Sequence, residues 1–218
     1  VSISKAQGSY VELFDIERVE VAKGPQSTLF GRGALIGAVN IIQAKADPAA
    51  VAGWLKGEAG DYDYRLVQGA VNLPLGDSFA VRLSGSIRQR DGYVENAVAS
   101  GGLQGLDSRA VRLALAYEPS DRVRADLIWN RQEDETDGTA FKSIRYLPTD
   151  PATGVVLGGL GAQDPAALAA GAGFQGGRAL GVDRTVEGVT GLVSLELTEA
   201  LTLTSITAWR QFDSAEVF

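Results

Sequence analysis

The sequence contains no histidine, no cysteine and no methionine in 218 residues. Without imidazole or thiolate it cannot build the common zinc sites, a Ser-His-Asp triad, a thiol nucleophile or a disulfide, so most familiar hydrolase and redox chemistries fall away. Methionine is missing even at position 1, and the chain opens in mid-pattern at Val1 with no signal peptide in view, so an interior piece of a longer protein is expected. Cations are scarce too: 20 Lys plus Arg face 27 Asp plus Glu, a formal net charge of −7, which argues against nucleic acid as a partner. No stretch approaches the roughly 18 unbroken apolar residues of a transmembrane helix. A transmembrane barrel needs no such run, because its strands take about 9 to 11 residues with every second one apolar and leave the mean hydropathy near zero. Here the mean hydropathy is +0.02 with 45% apolar residues, which leaves a soluble core and a lipid-facing surface equally open.

What the chain does have is period-two alternation downstream of position 51. From Phe79 to Arg90 the odd positions are Phe79, Val81, Leu83, Gly85, Ile87 and Gln89, while the even ones are Ala80, Arg82, Ser84, Ser86, Arg88 and Arg90. One face is greasy and the other cationic. The same split sets Val67, Gly69, Val71 and Leu73 against Gln68, Ala70 and Asn72. It returns in Val111 to Tyr117, in Val123 to Trp129, and in Val189 to Leu197. With strands near Trp54 to Gly60 and Leu201 to Phe212, whose faces the pattern leaves unassigned, seven strands are expected. After a first connection at 60–63, the connections 74–78, 91–107, 118–121, 136–184 and 198–200 alternate short and long. An up-and-down path through a membrane explains that alternation, with tight turns on one side and long loops on the other. A soluble sandwich does not, and a structureless connection as long as 136–184 is uncommon in a compact soluble domain. Tyr62, Tyr64 and Tyr93 near one set of strand ends and Phe79 and Tyr117 near the other fit two aromatic girdles, although strand-end aromatics of a soluble sheet read the same way. Within the longest connection, Asp164 to Gly171 has the cap, proline and closing glycine of a short helix.

Upstream the chain is compact and glycine-punctuated. Ile16 to Val21 reads as a strand, Lys23-Gly24-Pro25 as its breaker, Ser27 to Phe30 as a helical turn, and Val39 to Ile42 as a second strand. The run Ala44 to Ala50, with Pro48 and no periodicity, marks a boundary. The glycines do not make a phosphate loop, since Gly24 and Gly31 enclose six residues rather than four and Arg32 is followed by Gly33. Gly31, Gly33 and Gly37 miss the dinucleotide fingerprint by one position, and no βαβ unit follows. As a whole, Glu17 to Ile42, ERVEVAKGPQSTLFGRGALIGAVNII, resembles the last part of the plug domain of TonB-dependent outer-membrane transporters. The likeness is carried by the ERVEV strand, the basic-Gly-Pro turn at Lys23, Gly24 and Pro25, the Phe30-Gly31 pair, the glycine-rich turn through Ala34 and Gly37, and Asn40-Ile41-Ile42.

The resemblance implies an all-β-dominated fold: a fragment of a plugged antiparallel transmembrane β-barrel with about seven strands present, preceded by a small mixed α/β plug segment. Residues 1–46 would be the C-terminal part of the plug and 47–218 the first barrel strands. Such barrels have about 22 strands, and seven cannot close one. Lys23, Gly24, Pro25, Phe30, Gly31, Arg32, Gly33, Gly37 and Asn40 become the candidates for plug folding and its contact with the wall. Lys23 stands where the family usually has arginine, so a bidentate carboxylate clamp to the wall would become a single point charge. Ile36-Gly37 replaces the usual Gly-Gly pair. The implied function is active uptake of a scarce ligand, a ferric siderophore or similar chelate, across the bacterial outer membrane, with no enzyme activity and no cofactor or resident metal. The implied partners are outer-membrane lipid, the ligand, and TonB engaged through a segment outside this chain, with the plug on the periplasmic or luminal side.

Two side-chain groups remain open in the sequence. Arg82, Arg88, Arg90, Arg112 and Arg124 form a basic wall that either draws an anionic ligand by its field or pairs with carboxylates of the plug and neighbouring strands such as Asp126. Glu133-Asp134-Glu135 with Asp137 offers carboxylate oxygens for calcium, but the spacing fits no complete loop motif, and a solvated loop face is the plainer reading. Loops 91–107 and 136–184 are the candidates for ligand capture. Competing with the transporter reading are a small outer-membrane barrel or inactive relic with a structural or binding role, and a soluble all-β binding module.

Overall fold

The computed structural model describes residues 12–30, 34–95, 102–138 and 181–217. In chain order the elements are β1 (Ile16–Lys23), α1 (Ser27–Phe30), β2 (Gly37–Gln43), β3 (Ala52–Gly60), β4 (Tyr64–Pro74), β5 (Phe79–Arg90), β6 (Val94–Glu95), β7 (Gly102–Leu103), β8 (Leu106–Ser120), β9 (Val123–Asp137), β10 (Gly181–Thr198) and β11 (Leu201–Val217). β1 and β2 form an antiparallel hairpin joined by the breaker turn and the single helical turn, as the punctuation implied. Seven long strands make one open antiparallel sheet in the order β11-β10-β9-β8-β5-β4-β3, which is chain order but for the small β6–β7 hairpin inside the loop after β5. No helix among the described residues is long and apolar enough to cross a membrane.

The alternation resolves into two faces with the polarity of a soluble sheet reversed. Leu83 is 47% exposed, whereas the next residue, Ser84, is 2% exposed. Val67, Phe79, Ile87 and Leu127 lie on the exposed side with Leu83, while Gln68, Asn72, Ser86, Arg112 and Asp126 are buried on the other. A sheet that shows its aliphatic side chains and buries its amides, hydroxyls and guanidinium groups is built for a lipid exterior and a polar lumen. Register assigns the two strands that alternation left open. Gly53 pairs with Val71 and Leu55 with Gly69, so the odd residues of β3 face outward and Trp54, Lys56 and Glu58 face inward. Trp209 pairs with Val189 and Ser205 with Val193, which puts the odd residues of β11 on the outward face.

The strand ends are set by local chemistry. β4 and β5 are joined by a tight turn in which Gly76 takes φ +76° and Leu75 N donates to Phe79 O at 2.7 Å. At the opposite ends of these strands the β3–β4 turn places Tyr62 and Asp63 at φ 59° and 52°, and Asp91 N donates to Tyr62 O at 2.8 Å. Phe79 and Tyr117, register partners on β5 and β8, stack at 4.3 Å by the short turns, and Tyr62 meets Tyr93 at 6.0 Å near the long-loop ends. Aromatic contacts therefore occur at both ends of the strands.

β9 and β10 run further than alternation suggested, to Asp137 and from Gly181, so Glu133-Asp134-Glu135 is strand and not loop. The desolvation cost of Asp134 there is offset by donors from its neighbours in register: Ser108 Oγ at 2.7 Å on β8, and Arg184 Nη2 at 2.9 Å on β10. Among the described residues no group of three or more acidic side chains is placed to hold a metal ion. The expected helix at 164–171 lies outside the described residues.

Candidate plug–wall interface

The hairpin is flanked by two short segments that fasten it to the sheet. The lead-in, 12–15, is the tighter fastening. Asp15 sits at φ 50°, a left-handed conformation that Asp tolerates better than most side chains. Its carbonyl accepts Ala44 N at 3.1 Å, closing the base of the hairpin. Its carboxylate meets Arg82 of β5 as a fork, Nε to Oδ2 at 2.8 Å and Nη2 to Oδ1, and also accepts the Trp54 indole N–H of β3 at 3.2 Å. Burial pushes the Asp15 carboxyl up, but the hydrogen bonds from Arg82 and Trp54 and the Arg82 charge outweigh it and hold the group below the usual carboxylate range.

Arg112 of β8, 2% exposed, donates Nη1 to the carbonyls of Phe14 and Asp15, both at 3.2 Å, and its guanidinium carbon stands 4.6 Å from the centre of the Phe14 ring. A buried cation is tolerated when carbonyl dipoles and an aromatic face replace its water. One residue pair further on, Glu12 accepts Arg88 Nη2 at 2.8 Å, and Glu12 N donates to Gln132 Oε1 at 2.7 Å. Gln132 in turn donates to both oxygens of Asp134 at 2.9 Å. Segment 12–15 thus touches β3, β5, β8 and β9.

The lead-out, 44–50, is the second fastening. Lys45 Nζ lies 2.8 Å from Asp126 of β9, which also takes Arg124 Nη2 at 2.9 Å. Arg124 Nη1 pairs with Glu118, and Nη2 reaches Ala46 O at 3.3 Å. Ala46 itself is 2% exposed and packs with Ala80, Ala114, Ala116 and Ile128, so small side chains on β5 and β8 let the backbone approach. Asn72 then reads the chain as it leaves: Asp47 N donates to Asn72 Oδ1 at 3.0 Å, and Asn72 Nδ2 donates to Asp47 O at 2.8 Å and Ala50 O at 2.7 Å. Between hairpin root, lead-out and wall lies an open cleft of about 600 Å³ lined by Arg18, Lys45, Asp47, Asn72, Arg82 and Arg124 among others.

The basic wall is therefore a set of pairs. Arg82 and Arg88 meet plug carboxylates, Arg112 meets plug carbonyls, Arg124 meets Asp126 and Glu118, and Arg90 Nη2 reaches Gln104 O at 3.0 Å beneath the Tyr93 ring. The bidentate clamp that Lys23 is expected to forgo at the basic-Gly-Pro turn is found elsewhere and with its polarity inverted, Arg82 on the wall and Asp15 on the plug. Lys23 ends β1 opposite Gly37, and its carbonyl accepts Gln26 Nε2 at 3.5 Å. Gly24, at φ +84°, donates to Ile36 O at 3.2 Å, and Gln26 N after Pro25 donates to Ala34 O at 2.8 Å. Asn40 Nδ2 donates to Glu20 at 3.1 Å within the hairpin. These bonds all run within the hairpin and its connection. Phe30 closes α1, and Gly31, Arg32 and Gly33 lie outside the described residues. Glu12, Asp15, Trp54 and Asn72 are the interface residues that motif reading missed. A buried-face position holding Asn was the one visible signal, at Asn72.

A hairpin seated by polar ties on the inner face of an open, outward-apolar antiparallel sheet is the arrangement of a fragment of a plugged transmembrane barrel. Residues 2–38 match the family model described as TonB-dependent Receptor Plug Domain. Solved structures share the arrangement. The siderophore receptor PiuA of Acinetobacter baumannii matches with TM-score 0.64 and 19% identity, over 92% of this chain and 26% of its own. The ferric yersiniabactin uptake receptor FyuA of Yersinia pestis matches with TM-score 0.70 and 19% identity, over 93% and 29%. The ferric-catecholate import receptor Fiu of E. coli K12, in its open form, matches with TM-score 0.65 and 20% identity, over 92% and 29%. The chain therefore spans under a third of the length of these receptors. Residues 2–38 thus carry a match to the plug of that family, and the strands after them share the barrel fold of these receptors.

Proposed function

We propose that the protein carrying this chain takes up a scarce anionic ligand, a ferric siderophore or similar chelate, across the bacterial outer membrane, driven through TonB. Residues 1–46 form the end of the plug, and residues 47–218 the strands that begin the barrel wall, with the short turns and the plug on the periplasmic side. The observation that carries this reading is the pairing of Asp15 with Arg82 at 2.8 Å on the polar inner face of a sheet whose outer face is apolar. A wide lumen needs an obstruction that holds at rest and yields on demand, and polar ties fit that need: they are specific in geometry, and water can replace them. Loops 91–107 and 136–184 are the proposed ligand-capture loops, and Lys23, Gly24, Pro25, Phe30, Gly31, Arg32, Gly33, Gly37 and Asn40 the plug-shaping set. The work is binding and conformational change, with no covalent step.

The test is uptake of radioactive iron from ferric chelates by iron-starved cells with and without the full-length gene. The expected result is accumulation that depends on the gene and is abolished both by a protonophore and by loss of TonB. Accumulation unaffected by either treatment, or no gene-dependent accumulation across catecholate, hydroxamate and carboxylate chelates, overturns the reading.

A further inference from the structure

Arg82 and Arg112 share a feature that the other wall arginines lack. Among the described residues, every hydrogen-bonding or ring partner of both comes from Phe14 and Asp15 of the plug. Both face the lumen from adjacent strands, since Arg82 pairs in register with Ala114, two positions along β8 from Arg112. Diagonal neighbours at that spacing stand about 7–8 Å apart at their backbones, within reach of one multivalent anion. The Asp15 carboxylate pairs with Arg82 while the Phe14 and Asp15 carbonyls take Arg112, so one short segment serves both guanidinium groups. Displacing segment 12–15 would strip both cations of these partners at once.

We infer that Arg82 and Arg112 form an anion site that the plug itself occupies at rest, with Asp15 as the resident counter-ion that an incoming polyanionic ligand replaces. The ligand class is one that presents two or more carboxylate, phosphate or catecholate oxygens to paired guanidinium groups, which bind such oxygens in a fork. Exchange of one counter-ion for another binds the ligand and frees the plug in the same event. Because the anion and Asp15 compete for the same arginines, the ligand favours the undocked plug by its differential affinity for it. Arg88, further along β5 toward the long loops and paired with Glu12, extends the strip. This site rests on the uptake reading for the identity of its natural anion but not for its existence.

The experiment uses the full-length protein in de-energised outer-membrane vesicles, so its result does not depend on uptake. A cysteine placed at Leu13, which is exposed beside the tie, reports undocking by its maleimide labelling rate against the same protein without it. The anions are pyrophosphate and, at matched ionic strength, chloride. Pyrophosphate should accelerate labelling and chloride should not. Asp15→Asn should lower the half-saturating pyrophosphate concentration by roughly fivefold or more, and Arg82→Gln or Arg112→Gln should raise it by a similar factor. The direction of the Asp15→Asn effect is the discriminating result: a tie that only holds structure predicts no gain in anion affinity. An unchanged or weakened affinity in Asp15→Asn overturns the site. If that variant does not assemble, the unmodified tie decides alone, and pyrophosphate acting no better than chloride overturns the site. Loss of TonB-dependent uptake with these shifts intact overturns the transport reading and leaves the anion site standing.

Discussion

The indole of Trp54 donates to the carboxylate of Asp15 at 3.2 Å, across 39 positions of sequence and from the barrel wall to the plug. The bond fixes the face of β3, because an indole engaged with the plug cannot also lie in a lipid girdle. It also makes Asp15 the point where β3 and β5 are held to one residue, with β8 reaching its carbonyl.

Removing the Asp15 carboxylate should loosen the lead-in without unfolding the sheet. Breaking one partner of a buried pair costs about 3–5 kcal/mol, and the Asp15–Arg82 pair has both side chains largely buried. Asp15→Ala should raise the mobility of a spin label at Leu13→Cys in the full-length protein, while heat-modifiability of the barrel on gels stays near wild type. An immobile label would refute the assignment of Asp15 as the principal tie.

The pH dependence of that tie has a defined sign. Hydrogen bonds and the Arg82 charge hold the folded carboxyl below its ordinary value despite burial. The group therefore contributes docking stability that is complete above the unfolded value of about 3.9 and is lost as pH falls through the lower folded value. Spin-label mobility at Leu13→Cys should stay flat from neutral pH down to about 5 and rise only at more acid pH. A rise already near pH 6 would show that another group controls docking.

Substitutions on the two faces of β5 should separate the membrane barrel from a soluble sheet. Leu83→Arg places a charge on the outward apolar face, where arginine at mid-bilayer costs about 2–4 kcal/mol. The variant should assemble poorly into outer membranes, whereas a soluble module would tolerate or benefit from it, Leu83 being 47% exposed. Recovery of Leu83→Arg in the aqueous fraction, folded and without detergent, would sink the barrel assignment.

Much of the architecture was legible because it depends on local periodicity. β5 was readable to its end residues, Phe79–Arg90, since apolar and polar positions alternate there without interruption and Gly76 and Asp91 bound it. α1 was legible from punctuation instead, framed by Pro25 and Gly31. β9 was not fully legible, because Glu133 to Glu135 look like loop until Ser108 and Arg184 are known to pair with Asp134 across strands. β6 and β7 contribute only two residues each, too few for a period to register. The basic wall could be listed from alternation, but its partners could not. Glu12 and Asp15 precede the motif, and nothing in their spacing says that a left-handed Asp15 turns its carboxylate toward residue 82.

Two glycines of the hairpin should respond differently to the same change. A Cβ on Gly37 would lie 2.8 Å from Ala22 O, a backbone atom of the paired strand that cannot move without breaking the register. A Cβ on Gly24 meets nothing within 4 Å, so only its left-handed backbone at φ +84° is penalised. Gly24→Ala should cost about 1–2 kcal/mol, and Gly37→Ala more than that. Protease susceptibility of the plug in the full-length protein should rank Gly37→Ala above Gly24→Ala above wild type, and the reverse order would contradict the hairpin geometry.

Asn72 tests the lead-out by chemistry rather than by size. Its carboxamide is 1% exposed, and both ends are committed, the oxygen to Asp47 N and the nitrogen to the carbonyls of Asp47 and Ala50. Asn72→Ala leaves an amide and two carbonyls short of partners, at about 1–3 kcal/mol for each group that water cannot reach. Asn72→Asp keeps the shape and the acceptor but replaces the donor with a second oxygen facing two carbonyls, adding repulsion to the lost bonds. The near-isosteric change should therefore be the more damaging one at neutral pH, with part of its deficit recovered on acidification as the carboxyl regains a proton to donate. A heat-modifiability series of the full-length protein at neutral and acid pH reads this directly. Asn72→Asp equal to or better than Asn72→Ala at neutral pH would mean that the lead-out is held by the packing of Ala46 and the Lys45–Asp126 pair, with Asn72 merely filling space.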